Sequence, residues 1–511
     1  MILPFSELHE IQNNKMSLMC RKLCFSILSE HFGQIVQSVA EDLFKHGARP
    51  IGLIYHSTHL PIIKIKESLC VLIKHGLVTY NQTEREMEYS LIVENVLLIL
   101  RYPRYIFFVK TICGNECEMI FEEVLMHGYI TASEAITKTY KKIEQSPSDL
   151  QPSVPVLKEK FELLVKNQFL MRSLDTVEER NEKCDFTLPD LNLGAITKRI
   201  EGNDIDCGDS KIYWKVNFDR LTQDFRDQII ISAMSRRLDE NAGALMRQLL
   251  ILMYLRTASW EDTSNPIPLT EIKEAVRKVD CPLLIQYLDQ YLRLIEEDSS
   301  QFLKRVGDSG GGQYSVNMKE AFKQLVWTTL ENIVTERFGS KAARIFRLVR
   351  NRKYIEQEQI QQLAMIPAKE AKHLTYTLLQ ENYLQIQEIK KSGVSAAPIK
   401  TFFLFHIDLN LVVHMEVEHC YHALYNIMQR REYEASSNKR MIDKQLRMQT
   451  LTTNLKEHGA SEEQLAEIAE MMTPSEKQQL EKVQNRIKKL GITELQIDDT
   501  LFLLTMYLRY H

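Results

Sequence analysis

The amino-acid sequence predicts a mainly α-helical protein that carries small β-hairpins and is built from several similar domains. The 511 residues contain only 18 Gly and 14 Pro, so long stretches are free of helix-breaking residues. Hydrophobic residues make up 44% of the chain, which is enough for packed cores. One helix-to-strand pattern recurs at residues 72–78, 164–170 and 378–384. A chain of this length is typical of three or four domains.

The repeated unit is clearest between residues 357 and 407. The predicted order is a helix at 359–363, a break at 365–367, a helix at 368–380, a strand at 383–389, a turn at 390–398 and a strand at 401–407. Pro367 suits the start of the second helix, where a missing N–H costs nothing. Helix, turn, helix and β-hairpin in this order indicate a winged helix, whose second helix can enter a DNA major groove.

Four copies of this unit are expected along the chain. Three copies end a helix with two apolar residues, continue with three polar residues or Gly, and then start a strand, and a looser copy runs from Leu288 to Val316. The copies are too far apart for a solenoid, so we interpret them as separate small domains. The predicted organisation is an N-terminal extension (1–15), winged helices 1 (16–100) and 2 (101–190), a linker (191–211), winged helices 3 (212–318) and 4 (319–408), and a coiled-coil stalk with a terminal helix (409–511).

The last hundred residues follow a different pattern. Residues 409–455 contain no Gly or Pro and predict one helix of about 70 Å. Leu480, Val483 and Ile487 then recur at spacings of three and four residues. This spacing predicts an antiparallel coiled coil, in which a second helix folds back on the first. A final amphipathic helix is expected at 497–510.

Charge and cysteine usage narrow the class of protein. The chain has 64 Lys and Arg against 68 Asp and Glu, so any nucleic-acid contact must come from local patches. The close cysteine pairs, Cys20 with Cys24 and Cys113 with Cys117, lack a second pair at zinc-site spacing, so we expect reduced thiols. We find no signal-peptide pattern at the start. No apolar run reaches the roughly 18 residues that a membrane span needs.

Basic residues on and beside the predicted recognition helices are the candidate DNA-binding groups. The N-terminus of a helix carries partial positive charge, which favours a phosphate there. No exposed pair of Asn or Gln is expected to read base edges, so contact with the DNA backbone is predicted. An equally weighted alternative is that these faces are solvated or dock protein. The candidates are Lys64, Lys66, Lys369, Lys372, Arg344 and Arg347.

Two other motifs resemble catalytic or metal sites, but a structural role explains each of them better. Residues 307–311 spell the nucleophile motif of chymotrypsin-like proteases. No matching His motif or β-barrel pattern accompanies them, and a Gly-rich wing tip explains them. His414, His419, Cys420 and His422 lie close together on one predicted helix, where a helix interface is commoner than a zinc site. We therefore expect no catalytic residues, no metal and no cofactor.

These elements together resemble a known family, the large subunit of the initiation heterotrimer of RNA polymerase III. The fold also resembles the large subunit of general transcription factor E. The match covers nearly everything after residue 16 and is strong from residue 212 to the end. The residues that carry it lie at 101–105, 307–312, 336–340, 343–349 and 365–372.

The resemblance implies a non-catalytic, nuclear polymerase subunit that acts in transcription initiation. It implies as partners a smaller winged-helix subunit, a small acidic subunit, the clamp of the largest subunit, initiation factors, and double- and single-stranded DNA. It implies no membrane contact. The chain departs from some family members in its linker, where only Lys198 and Arg199 stand in place of a longer basic insertion. The alternative hypothesis is a winged-helix protein scaffold of a large complex without DNA contact.

Overall fold

The computed structural model describes residues 17–83, 86–145, 153–173, 186, 188, 191–201, 207–209, 211–279, 281–390, 401–457 and 472–511. Helices dominate, and the sheets are small and antiparallel, which confirms the predicted fold class. The chain divides into two compact units. The first comprises Met1–Phe225 and Leu424–Leu495, and the second comprises Arg226–Ala423 and Gln496–His511. None of the helices in the described ranges is both long and apolar enough to cross a membrane.

The N-terminal module packs its helices against a two-stranded sheet, in which Val78 pairs with Leu91. Gly33 separates the first two helices. Its φ of 88° breaks the helix and lies in the left-handed region that favours glycine. The elements are α1 (Leu18–Phe32), α2 (Gln34–His46), α3 (Ile51–Thr58), α4 (Ile62–Lys74), β1 (Val78–Gln82), β2 (Met87–Leu91) and α5 (Val93–Leu98).

The second module extends further along the chain than predicted. Its elements are α6 (Tyr102–Cys113), α7 (Asn115–His127), β3 (Tyr129–Thr131), α8 (Ala132–Gln145), α9 (Val154–Lys166), β4 (Leu170–Ser173), α10 (Leu193–Ile200) and β5 (Tyr213–Val216). The last strand lies between the other two, where Trp214 pairs with Ile130, and Val216 with Leu170.

These pairings correct the predicted boundaries at residues 190 and 212. Strand β5 was assigned to winged helix 3, yet it completes the sheet of the second module and buries Trp214 in that module's core. Ala195 and Ile196 of the predicted linker also belong to this core. The sequence did not indicate this assignment, because the strands that pair with β5 lie far from it in the sequence.

The third module places a glycine-rich connection between the two strands of a hairpin. Gly310, Gly311 and Gly312 all have positive φ angles, and they link β7 to β8 as the sequence predicted for a wing tip. A short strand, β6, adds to the other edge of β8. The elements are α11 (Phe218–Arg237), α12 (Glu240–Arg256), β6 (Ile267–Pro268), α13 (Leu269–Arg277), α14 (Pro282–Glu297), β7 (Leu303–Gly307) and β8 (Gln313–Val316).

The fourth module contains the helix-turn-helix and hairpin that the sequence predicted. Phe346, Tyr383 and Phe405 are fully or almost fully buried in its core. Ile355 forms a one-residue bridge with Phe405 at the outer edge of the last strand. The elements are α15 (Met318–Phe338), α16 (Ser340–Arg352), α17 (Gln357–Ala364), α18 (Ala368–Gln380), β9 (Gln385–Lys390) and β10 (Thr401–His406).

The C-terminal residues form α19 (Leu409–Ser437), α20 (Lys439–Glu457) and α21 (Pro474–Tyr510). The predicted single helix at 409–455 is interrupted at Asn438. The side chain of Asn438 donates a hydrogen bond to the Glu434 carbonyl oxygen at 2.9 Å, and such a side-chain bond to the backbone competes with the regular hydrogen bonds of a helix. The predicted separate helix at 497–510 is continuous with α21. A predicted helix cap at 461–464 lies outside the described residues.

The helices α20 and α21 run antiparallel in the first unit. Lys444 Nζ lies 3.0 Å from Glu476 Oε2, and Gln484 donates to Gln445 at 2.8 Å, so residue numbers rise along one helix and fall along the other. Leu480 is buried between them. The helices therefore form the back-folded pair that the spacing of apolar residues predicted. Whether they form a regular coiled coil stays a prediction.

Candidate nucleic-acid interface

The turn that precedes α18 sets the direction of this predicted recognition helix. Met365 ends α17 with a φ of 54°, in the left-handed region, and its side chain is 87% exposed. Pro367 then occupies the N-cap position of α18 with extended backbone geometry. Proline has no N–H to satisfy and its φ is fixed, so it starts the new helix without strain.

The lysines of α18 face solvent. Ala371, Thr375 and Leu378 lie on the opposite side of the helix and are buried. Lys369 and Lys372 are therefore exposed, one turn apart, near the helix N-terminus. Neither ammonium group has an ion-pair partner within the described part of the chain. This pair is open to a phosphate.

The arginines of α16 are held by the protein instead. The Arg344 guanidinium donates to the Ala364 carbonyl oxygen at 3.1 Å, and so ties α16 to the end of α17. Arg347 Nε and Arg350 Nη1 lie 3.1 and 3.0 Å from the two carboxylate oxygens of Glu331 on α15. The predicted basic edge is thus partly neutralised, because one carboxylate serves two guanidinium groups.

The corresponding helix of the first module, α4, presents a mixed surface. Lys64 and Lys66 are exposed, and Lys64 Nζ lies 3.4 Å from Glu67 Oε2. Beside them Ile62 is 47% exposed and Ile63 is 71% exposed. Exposed aliphatic side chains next to lysines suit a protein partner at least as well as a phosphate backbone.

A buried polar network that the sequence analysis missed fixes the chain just after α18. The Tyr383 hydroxyl donates to the carboxylate of Glu416 on α19 and accepts from Arg337 Nη1 at 2.8 Å. Burial, reinforced by the negative charge of Glu416, raises the pKa of Tyr383 well above its usual value. Local sequence carried no signal for this network, because its three members are distant from one another along the chain.

Of the histidine and cysteine cluster of α19, Cys420 is buried, whereas His414, His419 and His422 are exposed and do not lie in a helix interface. His419 Nδ1 lies 3.5 Å from Glu416 Oε2. Burial raises the pKa of the Cys420 thiol to about 12, so that this group stays protonated at neutral pH. Within the described ranges, no group of three or more His, Cys, Asp or Glu residues could hold a metal ion.

The repeated helix-turn-helix units with β-wings, and the lysines exposed on a recognition-type helix, define a winged-helix protein. Four family models match the chain, and each describes a part of one polymerase subunit. The matches are "RNA polymerase III subunit RPC82 helix-turn-helix domain" at residues 22–83, "RNA polymerase III subunit RPC82" at 120–325, "POLR3C, C-terminal winged-helix domain" at 330–407, and "DNA-directed RNA polymerase III subunit RPC3, helical hairpin domain" at 440–503.

Similar proteins from animals match almost the whole chain. DNA-directed RNA polymerase III subunit RPC3 of Homo sapiens is 36% identical over an alignment of 523 positions, and the alignment covers 95% of this chain and 98% of the human protein. The Danio rerio subunit of the same name is 35% identical with the same coverage. The chain therefore belongs to the RPC3 family, and it is an accessory, non-catalytic subunit of RNA polymerase III.

Proposed function

We propose that this subunit acts in transcription initiation by RNA polymerase III, where it contacts promoter DNA and holds partner subunits. The observation that carries the DNA contact is the exposed pair Lys369 and Lys372 at the start of α18. Two ammonium groups one turn apart, at the end of a helix that carries partial positive charge, favour phosphate oxygens. Membership of the RPC3 family supports the place of the chain in this polymerase.

The proposed contact ignores DNA sequence. The first two turns of α18 contain no Asn or Gln, which are the side chains that pair with adenine in the major groove. Contacts to phosphates alone position a protein without specifying a site. Such binding suits a subunit that serves many promoters, and it extends to the single-stranded DNA of an opened promoter, whose backbone carries the same charges.

The proposed protein partners are other subunits of the polymerase. They are a smaller winged-helix subunit, a small acidic subunit and the clamp of the largest subunit, together with initiation factors. The mixed surface of α4, with Ile62, Ile63, Lys64 and Lys66, offers both apolar area and positive charge to such a partner. The nucleus is the proposed location, because RNA polymerase III belongs to a nuclear transcription machinery.

A second candidate function is that of a pure protein scaffold without DNA contact. Two observations favour it: Glu331 pairs with both Arg347 and Arg350 and so offsets part of their charge, and aliphatic residues accompany the lysines of α4. DNA binding separates the two candidates, because a scaffold would show no salt-dependent affinity for DNA.

The double variant Lys369→Gln/Lys372→Gln tests the DNA contact. We expect weaker binding to unrelated duplexes by the same factor, because phosphates are common to all of them. The slope of log affinity against log salt should fall by about 0.9 for each lost phosphate contact. Fluorescence anisotropy at several salt concentrations measures both quantities.

The variant Lys488→Gln/Lys489→Gln is the matched control, since it removes two exposed lysines from α21 with the same change of net charge. It should bind DNA as the parent does. If the α18 variant also binds DNA and supports promoter opening like the parent, α18 faces protein and the scaffold function is favoured.

A further inference from the structure

In the part of the chain that the structure describes, Ile355 alone pairs with the outer edge of strand β10. Ile355 N lies 3.1 Å from the Phe405 carbonyl oxygen, and Phe405 N lies 2.8 Å from the Ile355 carbonyl oxygen. Successive residues of a strand direct their backbone groups to opposite edges. Phe403 and Thr401 therefore direct their N–H and C=O groups to the same edge as Phe405, beyond the point where Ile355 ends its pairing. Among the described residues, no backbone group pairs with them there.

A groove of about 370 Å³ lies along this open edge, between β10 and the start of α17. We call it the wing groove, and define it by Glu356, Gln357, Glu358, Tyr376, Phe402 and Phe403. Tyr376, Phe402 and Phe403 are 47%, 42% and 54% exposed. Aromatic rings that remain this exposed beside a concave surface are typical of a binding site.

Within the described residues, the side-chain amide of Gln357 has no hydrogen-bond partner, although both its nitrogen and its oxygen are buried. A buried polar group without a partner is unfavourable, so such a group calls for an explanation. A primary amide offers one acceptor and two donors. In an extended chain the N–H and the C=O of one residue point to the same side, so this amide can bind both of them at the same time, as the backbone edge of β10 can.

Charge at the wing groove favours a basic occupant over a nucleic acid. Glu356 and Glu358 line it, and Glu388 lies opposite Phe403 on the neighbouring strand with an exposed side chain. Three carboxylates repel a phosphate backbone and attract Lys or Arg side chains. Lys372 lies on α18 one turn before Tyr376, outside the lining of the groove.

We propose that the wing groove binds an extended peptide segment of a partner protein that carries Lys or Arg at alternate positions. The segment pairs with the outer edge of β10 as an additional strand, next to the bridge that Ile355 forms with Phe405. Its backbone pairs with Thr401 and Phe403, its amide groups meet Gln357, and its basic side chains meet the three carboxylates. Main-chain hydrogen bonds supply affinity in this mode of recognition, and side-chain pockets supply specificity.

The test measures binding of a labelled synthetic peptide with alternating Val and Lys to the full-length chain by fluorescence anisotropy. Phe403→Pro removes an N–H that faces outward, and Gln357→Met removes the amide at nearly constant volume. Each should weaken binding roughly tenfold, the loss expected for one or two hydrogen bonds. Hydrogen exchange of the Phe403 amide should slow when the peptide is bound.

Met87→Pro is the matched control. Met87 occupies the corresponding place in the first module, two residues before Tyr89, which is bridged by Arg49 as Phe405 is bridged by Ile355. This variant should bind the Val-Lys peptide as the parent does. A peptide with alternating Val and Glu should bind at least tenfold more weakly than the Val-Lys peptide, because the carboxylates of the wing groove repel it.

Four results would overturn the proposal. They are absent binding of the Val-Lys peptide, equal binding by the parent and both groove variants, tighter binding of the Val-Glu peptide, and displacement of the bound peptide by single-stranded oligothymidylate. A chain in which a short Gly-Ser turn replaces residues 391–400 gives a further check. Peptide binding that requires this replacement would assign the groove to the chain's own segment and reject a partner.

Discussion

At the scale of single residues, the cysteine pair of the second module is chemically unusual. Cys113 ends α6, Gly114 turns the chain with a φ of 96°, and Cys117 lies in the first turn of α7. A hydrogen bond from the Cys117 thiol, aided by Asn167 Nδ2 at 3.5 Å, lowers the pKa of Cys113 to about 7. Cys113 is thus part thiolate at neutral pH, which the sequence spacing alone could not indicate.

Replacing Asn167 with Leu should raise the pKa of Cys113, because the thiolate loses a hydrogen-bond donor. The pH at which a small methanethiosulfonate reaches half its maximal rate at Cys113, followed by mass spectrometry, should move upward from about 7. Asn485→Leu, on the exposed face of α21, should leave this pH unchanged. An unaltered pH profile in the Asn167 variant would show that Asn167 does not stabilise the thiolate.

The same pKa shift has a consequence for stability. The pKa of Cys113 is depressed in the folded protein relative to the ordinary value of 9.0. The unfolded chain therefore binds more protons between these two values, and this contribution to stability is present above pH 9 and lost as the pH falls through about 7.

In the fourth module, substitutions of Arg347 and Lys372 should differ in their effect on DNA binding. Arg347→Gln removes a charge that Glu331 partly compensates, whereas Lys372→Gln removes one that has no ion-pair partner among the described residues. We expect the lysine variant to lose more DNA affinity in anisotropy titrations. The arginine variant should change the free energy of unfolding by less than about 1 kcal/mol, because its side chain is largely exposed. The reverse order of affinities would place α16, rather than α18, on the DNA.

At the scale of elements, the helix pair α20 and α21 depends on a few buried side chains. Leu480 and Val483 are buried at its interface, whereas Ile487 of the predicted stripe is only half-buried. On the other helix, Leu446 and Leu451 face outward and are 55% and 47% exposed. The exposed leucines show that the apolar surface of this pair extends beyond the interface between the helices.

Leu480→Asp should destabilise the helix pair by roughly 3 kcal/mol or more, because it buries an unpaired charge. Leu451→Asp is the control, since it places the same charge at an exposed position of α20. Urea unfolding followed by circular dichroism should show a lower midpoint for the first variant only. Equal midpoints for the two variants would contradict the burial of Leu480 in solution.

At the scale of the whole molecule, each unit is built from two segments that are distant in the sequence. In the second unit, Tyr510 is buried, its ring stacks on Phe322 at 5.6 Å, and its hydroxyl accepts a hydrogen bond from Arg226 Nη1 at 2.9 Å. The guanidinium of Arg509 lies 3.5 Å from the ring centre of Trp260. The end of α21 is therefore part of the core of this unit.

Tyr510→Ala should lower the free energy of unfolding of the second unit by about 3 to 5 kcal/mol, the usual cost of removing a large buried aromatic side chain. His511→Ala, at the adjacent exposed residue, should have little effect. Thermal unfolding combined with limited proteolysis of residues 226–423 measures the difference. Equal resistance of both variants would show that Tyr510 contributes no core packing.

The sequence by itself determined the helical class, the helix-turn-helix with its wing at residues 357–407, and the exposed lysines of α18. These features are local, because helix periodicity, Pro367 and short-range turn residues act within a few positions of the chain. They were sufficient for the resemblance to the polymerase subunit, which the comparisons confirm.

Only the tertiary structure decided which distant groups meet. It placed β5 in the sheet of the second module and paired Glu331 with Arg347 and Arg350. It also showed that, among the described residues, only Ile355 pairs with the outer edge of β10, near Gln357. Strand partners and ion pairs are chosen among groups far apart in the sequence, according to which surfaces the packed helices bring together. No local pattern of residues carries that information.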